Sequence, residues 1–153
     1  MRIFIGADHR GFNLKENLKH WLTEQKIHFQ DVGAFELDPN DDYPIFAQKV
    51  AEDVADDIEL EKESRGIVIC GSGVGVDIVA NKIHGIRAGL GMNPEQVTSA
   101  RRDDDINVLA IASDETDEAT AIDMTKAFLE TEFESVERRN RRLEEIKKIE
   151  ETS

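Results

Sequence analysis

The chain holds one cysteine, Cys70, among 153 residues. A lone thiol excludes an intramolecular disulfide framework and a multi-thiolate zinc site. Aromatic residues make up only 6% of the chain, and no run of 18 apolar residues occurs, so no membrane-spanning helix is expected. The N-terminal MRIFIGADHRGF lacks the long apolar stretch of a secretory signal. Positive charge is scarce as well, with 19 Lys+Arg against 33 Asp+Glu, a formal charge of −14. That balance works against DNA, RNA and anionic membranes as partners. What the chain does have is 39% apolar residues, enough for one packed core. These bounds describe a soluble, cytoplasmic protein with a single domain over 1–153.

Apolar patterning alternates between short runs and helical stripes. Arg2–Ala7 reads as a strand that ends at Asp8-His9-Arg10-Gly11, and helical spacing then runs from Phe12 to about Gln25. A second strand is expected over 28–34, a loop over 36–44, and a helix from Phe46 to about Glu61. Arg65–Cys70 is the most hydrophobic strand, its unbroken apolar character pointing to burial on both faces. It runs into Gly71-Ser72-Gly73-Val74-Gly75 and a helix over 76–83. Two more strands (86–91 and 107–112) flank a short helix over 94–102. From Glu115 to about Glu151 one long helical pattern is expected, with 136–153 as a charged extension. Alternating strands and helices predict a three-layer α/β/α fold: a five-stranded, Rossmann-like parallel sheet with a long C-terminal helix. Ligands in such sheets bind beyond the carboxyl ends of the strands, which points to Asp8, His9 and the Cys70–Gly75 loop.

Four features carry chemistry, each with a plainer alternative. Glycines at 71, 73 and 75 let backbone N–H groups converge on an anion, or serve only as a tight strand-to-helix turn. The ending of a phosphate-binding P-loop and the spacing of a dinucleotide fingerprint are both missing. Cys70 is placed for thiolate chemistry, yet cysteine is also common as buried filler. Asp8 and His9 could give a pocket a carboxylate and an imidazole, or Asp8 could cap the next helix. Arg138 and Arg142 are neighbours on one helix face and suit a phosphate monoester, or pair with nearby glutamates.

Taken together, GADHRGF near the start, DYP at 42–44, ICGSGVG at 69–75, ANK at 80–82, GIRA at 85–88 and NVLA at 107–110 resemble one family. They are similar in order and spacing to ribose-5-phosphate isomerase B and the galactose-6-phosphate isomerase subunits, over nearly the whole chain. The resemblance implies a metal-independent, cofactor-free aldose–ketose isomerase of sugar phosphates that works through a cis-enediol(ate). Ribose 5-phosphate and ribulose 5-phosphate, a pair of the pentose phosphate pathway, are the default substrates. Cys70 matches the base, and Val76 stands where a separate branch uses glutamate. Ser72 and the N–H groups of Gly71, Gly73 and Gly75 match the enediolate-stabilising loop. Asp8, His9 and Tyr43 match sugar contacts, and Arg138 and Arg142 match phosphate ligands. The family's pockets lie between two subunits, which implies a homodimer or a tetramer.

Three departures from the family pattern stand out. Asp103-Asp104 replaces a His-Asn pair whose histidine donates the proton that opens the furanose ring. Asp103 could do so only if burial or its neighbours raised its pKa; Asp104 then takes the asparagine's place beside the substrate. Asp114 stands where an arginine is expected and would repel a phosphate. One extra residue after Glu134 precedes the arginines. These departures keep two alternatives in view: an isomerase of another phosphosugar, galactose 6-phosphate-like or an open-chain tetrose or pentose phosphate, and a non-catalytic sugar-phosphate-binding subunit.

Overall fold

The computed structural model describes residues 1–152; of the expected 136–153 extension, Ser153 lies outside the described residues. Five strands form one parallel sheet: β1 (Arg2–Ala7), β2 (Phe29–Asp31), β3 (Ser64–Cys70), β4 (Ala88–Leu90) and β5 (Val108–Ala112), in the order β2-β1-β3-β5-β4. Six helices join them: α1 (Phe12–Glu24), α2 (Tyr43–Glu59), α3 (Val74–Ala80), α4 (Pro94–Asp104), α5 (Glu118–Glu130) and α6 (Glu137–Glu151). Alternation along the strands divides the core in two. Ile3, Ile5, Ile67, Ile69, Leu109 and Ile111 face α1, α4 and α5. Phe4, Val68, Val108 and Ala110 face α2 and α3. Every residue of β3 is buried, in keeping with its unbroken apolar run.

This sheet order puts a topological switch between β1 and β3. The chain leaves β1 through α1 on one face and leaves β3 through α3 on the other. A crevice therefore opens between the two carboxyl ends, where ligands bind in sheets of this kind.

Several boundaries differ from the sequence expectation. β2 is confined to three residues on a sheet edge, and Gly33, at φ +114°, turns the chain away. Helix α2 starts at Tyr43 rather than Phe46, because Pro44 is preset for a first helical turn. The largest correction is the long helix expected from Glu115, which is broken over 131–136. The cause is tertiary. Arg65 donates to the Phe128 and Leu129 carbonyls and Arg101 to the Thr131 carbonyl, the acceptors that a continuing helix needs.

Candidate functional site at the carboxyl edge of the sheet

Cys70 ends β3, with its backbone beside Ala112 of β5, and only 5% of its surface is exposed. The glycine loop that follows is shaped by close approaches. Gly73 sits at φ +71°, and a Cβ there would meet Leu90 Cδ1 at 2.5 Å and the Ala112 nitrogen at 2.9 Å. A side chain would be both strained and blocked. A Cβ on Gly75 would lie 2.7 Å from the Tyr43 ring, so Tyr43 packs directly on the loop. The first N–H groups of α3 have no carbonyl one turn earlier to bond, which leaves the loop rich in donors. Ser72 is exposed at its crest.

The β1 end forms the opposite wall. Asp8 is buried and accepts from the N–H groups of Arg10 and Gly11, both at 3.0 Å. Asp8 thus ties down the turn that leads into α1 and does not cap the helix, whose N-cap Gly11 has no side-chain partner, and one carboxylate oxygen remains for other contacts. His9 lies against Asp41, whose Oδ1 is 2.9 Å from the His9 N–H and 2.7 Å from ring Nδ1. A carboxylate only accepts, so Nδ1 carries the proton of that hydrogen bond. Asp41 Oδ2 is buried without a partner. The ligand atoms of Asp8, His9 and Asp41 lie within 4.8 Å of one another, the one such group among the described residues that could converge on a cation.

Arg10 and Asp41 enter the crevice although the sequence reading singled out neither. Arg10 reaches over Gly71 to pair with Asp114, in the turn that follows β5. In the sequence Arg10 is one polar turn residue among several, and its partner lies 104 positions away. Asp41 belongs to an acidic loop that resembles many solvated ones. For Arg10 the signal was its place three residues past the end of β1, at the switch point; Asp41, ten residues past β2, carried none.

The remaining candidates lie elsewhere in the chain. Asp103 and Asp104 end α4, just before β5, and so belong to the amino edge of the sheet. Asp103 binds Arg102 and Arg139, and the Arg102 hydrogen bond holds its carboxyl below the ordinary range. The condition for proton donation by Asp103, a raised pKa, is not met within this chain. Arg138 and Arg142 start α6 beside the same cluster and are exposed. The plainer reading of the arginine run also holds in part, since Arg139 pairs with Glu134 and Arg141 with Glu137. Within one chain, then, the crevice contains Cys70, Ser72, Asp8, His9, Tyr43 and the glycines, while Asp103, Asp104, Arg138 and Arg142 lie across the sheet.

Residues 3–146 match the Ribose/Galactose Isomerase family. A probable ribose-5-phosphate isomerase B of Mycoplasma pneumoniae is 39% identical over 132 residues, covering 86% of this chain and 84% of that protein. Among solved structures, ribose-5-phosphate isomerase B of Mycoplasma genitalium with bound ribulose 5-phosphate superposes with a TM-score of 0.92 at 36% identity, covering 99% of this chain and 97% of that one. The Clostridium thermocellum ribose-5-phosphate isomerase B gives 0.92 at 37% identity, covering 99% of both chains.

Proposed function

The chain belongs to the ribose/galactose isomerase family, and from that premise we propose that it interconverts ribose 5-phosphate and ribulose 5-phosphate. The observation that carries this reading is its likeness to the Mycoplasma genitalium structure that holds ribulose 5-phosphate. The crevice chemistry agrees with an aldose–ketose isomerase. In the proposed scheme the Cys70 thiolate takes the proton from C2 of the open-chain aldose and returns it to C1. Charge that develops on O1 of the cis-enediolate is met by Ser72 and the N–H groups of Gly71 to Gly75, donors fixed before the reaction begins. A proton shift between the two oxygens completes the ketose, so atoms and electrons balance without a redox partner. Asp8, His9 and Tyr43 bind the sugar hydroxyls.

The active form is a homodimer in this reading. Arg138, Arg142, Asp103 and Asp104 lie too far across the sheet to serve the crevice of their own chain, so a second copy supplies them. The exposed apolar side chains Val74, Ile78 and Met92 offer a surface for that copy. Among the described residues, no helix is long and apolar enough to cross a membrane; the acidic charge and the unpaired thiol accord with the cytoplasm. The test is turnover: purified protein interconverts the two pentose phosphates, and Cys70→Ala loses at least about a hundredfold in kcat. Absence of wild-type turnover with both sugars would refute the reading.

One observation favours a second substrate class. Asp103 is held ionised by Arg102, which removes it as the proton donor for furanose opening and favours an open-chain phosphosugar. A substrate panel decides: if ribose 5-phosphate is turned over best, the second reading fails.

A further inference from the structure

Building on the isomerase reading, we infer that Arg10 binds the phosphate group of the substrate and that Asp114 holds it in position to do so. The backbone of Arg10 is fixed from both sides of the crevice. Its N–H donates to Asp8 Oδ1 at 3.0 Å, and its carbonyl lies 2.9 Å from the Ser113 hydroxyl. The side chain then crosses the crevice. A Cβ at Gly71 would overlap its guanidinium, so the absence of a side chain at 71 is what lets the arginine lie against the loop. One Nη donates to Asp114 Oδ2. A guanidinium has five N–H donors in a planar fork, and this one is 54% exposed, so donors remain within reach of a ligand.

Local charge makes the same point. The crevice holds the carboxylates of Asp8, Asp41 and Asp114 in a chain whose net charge is −14. A phosphate dianion binds there only beside a cation that offsets this field. Arg10 is the cation that the fold brings to the loop, one residue away from Cys70. An exposed ion pair with no ligand would contribute little to stability and would not need to lie on a glycine next to the proposed base. Asp114 therefore has a second effect besides its own repulsion: it keeps the arginine across the crevice instead of in solvent.

Steady-state kinetics of the wild-type protein, Arg10→Ala, Arg10→Lys and Asp114→Ala with ribose 5-phosphate test this assignment, with inorganic phosphate as the competing anion. Arg10→Ala should raise KM and the phosphate inhibition constant together by about tenfold or more, with kcat within about threefold and an unchanged melting temperature. Arg10→Lys keeps the charge but loses the fork, and should fall between. Asp114→Ala should raise KM a few-fold in the wild-type background and have no effect once Arg10 is alanine. Unchanged KM and inhibition constant in Arg10→Ala, or a fall in kcat alone, would overturn the phosphate role. A lower KM in Asp114→Ala would overturn the positioning role. If the wild-type protein does not turn over, the isomerase reading fails separately. Calorimetric titration of wild-type and Arg10→Ala protein with inorganic phosphate then decides Arg10 by itself: weaker binding by the variant supports the assignment and equal binding overturns it.

Discussion

The two edges of the sheet are built on different principles. At the carboxyl edge, position comes from the backbone: strand ends, a left-handed glycine and buried contacts leave Cys70, Asp8 and the loop little room to shift. At the amino edge, position comes from long side chains. Arg101, Arg102 and Arg139 are set by the carboxylates they pair with. The first kind of site suits bond-making, which needs fixed geometry. The second kind tolerates motion, because a guanidinium and a carboxylate can pair from several directions.

Breaking the backbone-built edge should have the largest effect. Gly73→Ala introduces a Cβ at φ +71° against Leu90 and Ala112, and should cost about 3 kcal/mol of stability, read by denaturant unfolding. Breaking the other edge should leave stability alone and weaken binding. Arg138→Ala with Arg142→Ala should raise KM by about tenfold to a hundredfold, about 1–3 kcal/mol. An unchanged melting temperature would accompany it, since both side chains are exposed.

A comparison of two aspartates sharpens the contrast. Burial pushes the Asp31 carboxyl up, but hydrogen bonds from Lys15, Lys19 and the Gly33 N–H outweigh it and hold the group below its ordinary value. Asp103 is also lowered, chiefly by its hydrogen bond from Arg102, but is more exposed than Asp31. A carboxyl depressed in the folded state stabilises fully above its unfolded value, and that stability is lost as pH falls through the folded value. Asp31 therefore contributes stability that fades below about pH 4. Lys15 is fully buried against it, so Asp31→Asn should cost about 1–2 kcal/mol at neutral pH and flatten the acid limb of a stability–pH profile. Asp103→Asn should flatten that profile less, because solvent screens its more exposed ion pairs.

These differences also explain what could be read from the chain alone. The strand order of events, the burial of β3 and the placement of Cys70 and Gly71–Gly75 at a strand end followed from apolar runs and glycine spacing, which are local. The break at 131–136 did not, because arginines from β3 and α4 cause it. Arg10 was invisible for the same reason, its role depending on Gly71 and Asp114. The place of Asp103 just before β5 already marks the amino edge in the chain order; its pairing with Arg139, 36 residues on, is what local patterning does not reveal.

The arginine bonds that end α5 have a consequence for how the protein is made. Arg65 and Arg101 wait for carbonyls at 128–131, up to 64 residues later in the chain. The crevice residues from Asp8 to Asp114 have all been synthesised before α5 begins at Glu118. The carboxyl edge can thus take shape while the rest of the chain is still emerging. The turn into α6, and with it the basic cluster, closes only after β3 and α4 are in place to receive it. Assembly therefore runs from one edge of the sheet to the other: the part that holds the thiol and Arg10 is complete first, and the arginines of α6 arrive last.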